Sequence, residues 1–354
     1  MGAVCKPWLS VCQWSARIRY SQLPWLMMLS NPNSKSTSKE HEKEARCFLS
    51  LSDNTIDSIN FPEIRGKCCC GSFNNAKAGG WLLIIDENLE ISLFHPWLRT
   101  QLQLPHQSTL VPLPDVPPRE GPDVKILKGS MSDDASVVAV IYDRWDLAFC
   151  RTGDKVWSRI RSESNFYFDL IYHNGQFYAV GLDGRVGVCS INNTNPYVET
   201  LTEVLIEGIT DFTRPYLVVD SANKGLLIVL RSAYSSWPGN SQTSGFQVYE
   251  VGLDETGNYK KKPVNMESLG DRIIFVGYNS SMLVMASEFP AFKGNCIYFT
   301  DDSMGYYFYD LLDGCRDIGV FDMEDKTIKA LFPNRVHPTF SPPIWVAPPP
   351  NGKG

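Results

Sequence analysis

The sequence predicts an all-β chain folded as a β-propeller of short four-stranded antiparallel blades. Three observations carry that prediction. Apolar residues come in short runs rich in Ile, Val, Phe and Tyr, too short for comfortable helices. Asn174-Gly175 and Asp183-Gly184 fall between such runs, and both dipeptides supply the positive φ angles of type I′ hairpin turns. Hairpin groups recur about every 40–55 residues, the spacing of propeller repeats. Roughly 290 residues at that spacing favour six blades, with five to seven compatible.

The last repeat shows the pattern most fully. Between Met266 and Pro333 lie Arg272–Val276, Met282–Ala286, Cys296–Thr300 and Ile318–Phe321, with a return over Thr327–Phe332. Gly277-Tyr278-Asn279, Lys293-Gly294-Asn295 and Asp301-Asp302 punctuate them. A sheet of that size cannot bury both faces alone, so it needs neighbours.

Earlier repeats follow the same plan. Cys47–Leu51 opens the β region, and the N-terminal strand there is expected to complete a blade begun by the C-terminal one. Cys68–Phe73 precedes a hairpin of Trp81–Ile85 and Glu90–Phe94 across Asp86-Glu87-Asn88. Leu89, Ile91 and Leu93 alternate with Glu90 and Ser92, as on a half-buried strand. His95 stands at a turn position, where it reads as a capping side chain. Residues 105–122 are Pro-rich and read as an inter-blade loop. Val137–Tyr142, Leu147–Arg151 and Lys155–Ile160 make the next group. Phe168–His173, Gln176–Gly181 and Arg185–Ser190 follow. Tyr216–Val219 pairs with Leu226–Arg231. The polar segment 232–245, which holds Trp237, reads as a loop before Phe246–Leu253 and Lys261–Val264. Pro342–Val346 ends the fold, with Ile344-Trp345 packed on the last blade.

Composition limits the chemistry. Aromatic residues are 12% and charged residues 20%, which suits a packed globular chain rather than a disordered one. The net charge is −6 without a Lys/Arg-rich run, so no nucleic-acid partner is expected. The apolar run Leu23–Leu29 is too short to span a bilayer, and no membrane partner is expected. The 10 cysteines contain no C-x-x-C pair, so no metal site is indicated. The run Cys68-Cys69-Cys70 reads as small buried strand thiols. None of the motifs G-x-S-x-G, H-E-x-x-H or G-x-x-x-x-G-K-[ST] occurs, so no catalytic residue and no cofactor is assigned. Asp133-Asp134, Asp301-Asp302 and the Asp322/Glu324/Asp325 cluster all fall at turn positions, where Asp bonds local backbone.

The C-terminal repeat also carries a family resemblance. Ser268-Leu269-Gly270-Asp271, Phe275-Val276-Gly277, Lys293 through Asp302, Gly319-Val320-Phe321-Asp322 and Pro342-Pro343-Ile344-Trp345 resemble the signature of the plant KIB-type β-propeller domain. That domain occurs in many plant F-box proteins. At the other end, Val4-Cys5-Lys6-Pro7-Trp8 followed by Trp14 resembles the last helix of an F-box, V-C-x-x-W. The resemblance implies a helical F-box remnant over 1–30 and the propeller over 46–346; residues 31–45, polar and low in aromatics, read as a linker, and 347–354 as a disordered tail. It implies that Val4, Cys5 and Trp8 are the surviving adaptor-binding residues. The opening Leu-Pro and earlier helices of an F-box do not precede Val4, which weakens the expected adaptor contact.

The function so implied is non-enzymatic protein recognition, as a substrate receptor of an SCF-type ubiquitin ligase in nucleus or cytoplasm. Its partners would be the SCF adaptor subunit and an unidentified client protein. A second reading is a binding propeller uncoupled from any ligase. A third, a propeller glycosidase, would require two carboxyl groups facing each other across a pocket.

Overall fold

The computed structural model describes residues 23–28, 45–75, 79–111, 126–143, 145–162, 166–202, 213–223, 225–236, 240–302, 317–331 and 343–348. Among these residues the regular structure is strand throughout, apart from three single turns of 3-10 helix at Pro62–Ile64, Gln107–Thr109 and Ala286–Glu288.

The first sheet holds β1 (Trp25–Met28), β2 (Ala45–Ser50) and β3 (Thr55–Asn60). The second holds β4 (Cys68–Asn75), β5 (Gly79–Ile85), β6 (Ile91–His95) and β7 (Thr100–Gln103). The third holds β8 (Ile126–Met131), β9 (Val137–Tyr142), β10 (Asp146–Arg151) and β11 (Ser158–Ile160). The fourth holds β12 (Tyr167–His173), β13 (Gln176–Gly181), β14 (Val186–Ser190) and β15 (Tyr197–Thr200). The fifth holds β16 (Thr213–Asp220), β17 (Gly225–Ser236), β18 (Asn240–Val251) and β19 (Val264–Met266). The sixth holds β20 (Arg272–Val276), β21 (Met282–Met285), β22 (Cys296–Phe299), β23 (Gly319–Asp322) and β24 (Ile328–Ala330). The final strand β25 (Ile344–Val346) returns to the first sheet, whose order is β25-β1-β2-β3.

These are the blades of a closed six-bladed ring. The inner strands touch in the sequence β25, β4, β8, β12, β16 and β21. Six apolar cores lie between adjacent blades rather than in one centre. Phe73, Leu83, Val138 and Val140 fill the gap between blades two and three. Leu170, Phe177, Ile141 and Phe149 fill the next. The cycle closes between blades six and one, where Ile273, Phe275, Leu26 and Trp345 meet. Period-2 alternation delivers this, because each strand sends successive side chains to opposite neighbours.

Turn chemistry sets the registers. Asn174 (φ 48) and Gly175 (φ 84) form the anticipated two-residue turn, and His173 pairs with Gln176. The Asp183-Gly184 turn differs from the type I′ expectation. Only Gly184 takes a positive φ, 76, and the Gly181 N–H bonds the Arg185 carbonyl at 2.9 Å. Three residues therefore close that hairpin, with Asp183 Oδ1 accepting from the Arg185 N–H at 3.0 Å.

Closure departs from the sequence expectation. The helical assignment of 1–30 fails at Trp25–Met28, which is a strand paired to β2 on one side and β25 on the other. Registers are Trp25 with Val346, Leu26 with Trp345 and Met27 with Ile344. The C-terminal strand thus completes the N-terminal blade, but against residues 25–28 rather than 47–51. Trp345 is fully buried and meets Phe275 edge-on at 5.1 Å, so it packs on the last blade as anticipated. The proposed tail starts too early, because Ala347 is buried and its carbonyl accepts from Trp97 Nε1 at 3.0 Å.

Two further corrections concern blades five and six. The polar segment read as a loop extends the β17–β18 hairpin, with pairing carried out to Ser236 and Asn240 past a bulge at Ser232. In the last blade β20 is inserted between β21 and β22 and runs parallel to β22.

Trp345→Ala is expected to lower the unfolding free energy by about 3–5 kcal/mol, the range for truncating a buried aromatic; denaturant melts check it. A second expectation concerns acid. His95 is buried against the Trp81 ring, accepts the Leu98 N–H at Nδ1, and burial pushes its pKa down to about 4. The neutral ring stabilises the fold fully above its unfolded pKa near 6.5. That contribution, about 3 kcal/mol, drains away as the pH falls toward 4. His95→Asn, which keeps an acceptor without the titration, should flatten the melting curve over that window.

Candidate protein-recognition face

The propeller axis is filled by polar side chains. Asp169 on β12 is completely buried. Its carboxylate receives Lys128 Nζ of β8 at 2.8 Å, the Leu217 N–H of β16 at 2.8 Å and Ser281 Oγ at 3.4 Å. Burial holds its carboxyl above the ordinary range, against the pull of Lys128 and the backbone donors. Four blades meet at this one group. The segment between β20 and β21 reaches in beside it. Its Ser280 N–H bonds the Ser72 carbonyl of β4 at 2.7 Å, and Ser280 Oγ donates to the Gly129 carbonyl at 3.3 Å. Gly277 (φ 154) makes that path possible, since a Cβ there would lie 2.0 Å from Thr300 Oγ1.

A second buried cation ties blade five to blade six. Arg231 on β17 sends Nη2 to Asp317 at 2.7 Å and Nη1 to Asp302 at 3.1 Å and to the Thr300 carbonyl at 2.7 Å. Tyr216 Oη donates to Asp302, and Lys128 Nζ sits 4.9 Å above the Tyr216 ring. Burial opposes the charge on Arg231, but the Asp302 and Asp317 carboxylates outweigh it and hold the guanidinium protonated. Burial and the Asp302 carboxylate push the Tyr216 phenol well up, so it remains a donor. Asp302 is therefore an interblade ion-pair partner and not the turn residue its sequence position suggested. Asp134, Asp322 and Asp325 do behave as turn residues, accepting from the N–H groups of Ser136, Glu324 and Thr327. Lys293 bridges Asp322 and Glu324 at 2.9 and 2.7 Å.

Strand alternation divides the connections between two faces. On the upper face, where β4, β8, β12 and β16 begin, lie the described ends of the crossings between blades one to five and the β5–β6, β9–β10 and β13–β14 turns. The residues flanking 29–44, 112–125, 203–212, 237–239, 303–316 and 332–342 all leave from this side. Trp25 and Val346 face each other at the lower end of their sheet.

The upper face carries an aromatic cluster. Trp145 stacks on Phe168 at 5.5 Å and meets Phe166 at 5.7 Å. Arg214 lies 5.2 Å over Phe168. Phe166 is 51% exposed, too much for a core residue of that size. Trp145 holds φ 65, a conformation a bulky side chain rarely adopts. Two backbone bonds fix the group, the first of them across blades three and four. Trp145 O accepts the Tyr167 N–H at 3.2 Å, and Phe166 O accepts the Leu182 N–H at 2.9 Å. The Arg159–Asp146 pair, at 3.3 Å, flanks it. Tyr234, 71% exposed on the extended β17–β18 hairpin, stands on the same face. Rigid aromatics beside arginine are the composition of protein-binding hot spots.

On the lower face a groove of ≈ 240 Å³ runs between blades three and four past Ser132, Asp134, Gln176 and Asn192. Asp134 Oδ1 already takes both Ser132 Oγ and Ser136 Oγ at 2.7 Å.

Val4, Cys5 and Trp8, with Trp14 and Trp237, lie outside the described residues. Sequence reasoning missed Trp145, Phe166, Phe168 and Arg214. The available signal was the pair of aromatics at 166 and 168, flanking a strand start with one of them exposed. Among the described residues no helix is long and apolar enough to cross a membrane.

The sequence profile of the KIB1-4 beta-propeller matches residues 48–322. Of the curated relatives, F-box protein At2g26160 of Arabidopsis thaliana is 27% identical over 328 residues, covering 81% of this chain and 88% of its own. Putative F-box protein At5g55150 of the same plant is 31% identical over 212 residues, 58% of this chain and 55% of its own. F-box protein SKIP23 is 24% identical over 230 residues, 59% and 53% of the two chains. The chain spans most of the first relative and about half of the other two.

Asp169→Asn should strand the buried Lys128 charge and lower stability by about 3–5 kcal/mol. The double variant Lys128→Met/Asp169→Leu should lose far less, and paired denaturant melts compare the two.

Proposed function

The chain belongs to the KIB1-4 beta-propeller family, and from that premise we propose that it is a protein-recognition module serving as substrate receptor of an SCF-type ubiquitin ligase. Its relatives are F-box proteins, which supports an interaction role. The observation that carries the reading is the exposed, backbone-locked Trp145–Phe166–Phe168–Arg214 cluster on the upper face. A client protein would insert an apolar side chain there, with the rim charges of Arg159 and Asp146 setting orientation. The adaptor subunit would be held through Val4, Cys5 and Trp8. The work would take place in nucleus or cytoplasm. It needs no cofactor and no bond-making step.

A second reading is a propeller that binds its client without ligase coupling. Co-purification with the recombinant SCF adaptor subunit separates the two, run beside a chain with a complete F-box grafted before Ala3. Retention by the native chain supports the receptor. Retention by the grafted chain alone supports uncoupled binding. Phe166→Ala should leave melting and adaptor retention unchanged while reducing ubiquitin conjugates recovered with the complex about tenfold, the size of one hot-spot side chain. Unchanged conjugates would remove the aromatic cluster from the client site.

A further inference from the structure

We propose that Cys68 and Cys70 form a reversible dithiol–disulfide site at the upper end of the second blade's inner strand. Strand alternation puts these two side chains on one face of β4 and Cys69 on the other. The packing follows suit: Cys68 and Cys70 border the core shared with blade three, and Cys69 lies in the core shared with blade one. The sulfurs of Cys68 and Cys70 are 3.6 Å apart. A flat strand holds such neighbours further from bonding distance. Here the ladder with β5 breaks register between Cys69 and Gly71, and a bulge of that kind bends the strand locally.

The two thiols are unequal. Cys68 is half-buried and reachable from solvent, while Cys70 is 8% exposed. Beside them is an unusual cation. Arg46 of β2 is 3% exposed, with Nη2 donating to the Lys67 carbonyl at 2.8 Å and Nη1 without a hydrogen-bond partner. Its positive charge stands at the start of β4, next to Cys68 in the chain, and a cation near a thiol favours the thiolate that carries out exchange. The Cys68 contact and burial push the Cys70 thiol up, so Cys70 fits the resolving role rather than the attacking one.

The oxidant is a low-molecular-weight disulfide such as oxidised glutathione. The Cys68 thiolate attacks one of its sulfurs, forming a mixed disulfide and expelling one glutathione thiolate. Cys70 then gives up its proton and attacks the Cys68 sulfur, expelling the second. Two protein thiols and one small disulfide become one protein disulfide and two small thiols. Cys150 and Cys189 are buried singly, and burial pushes both thiols up, so they serve as unreactive internal references.

The test uses the full chain equilibrated in buffers of graded oxidised-to-reduced glutathione ratio, quenched by alkylation and mapped by peptide mass. The peptide beginning at Cys68 should lose two hydrogens as the ratio rises, reversibly, with Cys69 alkylated only after unfolding. Cys70→Ser should trap glutathione on Cys68, and Cys68→Ser should give neither product. Arg46→Met should slow adduct formation about tenfold. Full alkylation of Cys68 and Cys70 at every ratio, a lasting glutathione adduct on native Cys68, or a bond involving Cys69 would each overturn the proposal. The wild-type mass shift decides the matter even if a variant fails to fold.

Discussion

Asp169 is the group on which the ring is centred. A propeller leaves its inner strands facing one another around an axis, and something must fill or line that space. Here the axis holds a carboxylate that binds Lys128, Leu217 and Ser281, from three other blades. A buried ion pair of this kind adds little net stability over a well-packed apolar pair. Its geometry is directional, however, and apolar packing between blades is not. Each interblade core would tolerate some sliding of one sheet over the next. The bonds to Asp169 fix the height of three inner strands and of the segment entering β21 at once. Ser72 extends the tie to blade one, donating to the Trp345 carbonyl at 2.6 Å.

Around that axis, stability comes from repetition. Six cores of similar make-up each join two sheets, and neither sheet could bury its faces alone. The arrangement frees the rims from structural duty. Upper-face connections can differ in length and sequence while the cores stay filled, which is why a recognition surface belongs there. The Trp145–Phe166–Phe168 cluster shows how a rim becomes rigid: its backbone is bonded between blades, so the rings are held before any partner arrives.

Local physics was legible in the sequence, and distant pairing was not. Asn174-Gly175 specifies its own turn, and the runs around it alternate, so those strands could be placed from about ten residues of context. The C-terminal signature located the last blade and the family together. Trp25–Met28 shows the limit. Leu-Pro-Trp-Leu-Met-Met has no turn signal and no alternation, and it becomes a strand because both its neighbours, residues 47–50 and 344–346, offer ladders. Segment 232–245 failed for the opposite reason. Its Ser, Gly and Asn residues look like loop, yet the paired strands below continue outward through it. Asp302 looked like turn chemistry because its partners, Tyr216 and Arg231, lie more than 70 residues away. The aromatic cluster draws on three separate strands or turns, so no window of sequence contains it.

The pairing of β1 with β25 also governs the order in which the molecule can be built. Trp25 and Val346 are opposite each other yet about 320 residues apart in sequence. On a ribosome, blades two to five can form sheets of their own as they emerge. Blade one cannot, because its inner strand is synthesised last. Until then the edge of β1, apolar on both faces, has no hydrogen-bonding partner, and exposed edges of that kind recruit other chains. Closing so long a loop costs about 5 kcal/mol of chain entropy if nothing between is ordered. Prior folding of the intervening blades removes most of that cost, by bringing the two ends of the ring to the same place before the last strand arrives. Assembly of this protein is therefore a race between completion of one sheet and capture of its waiting edge.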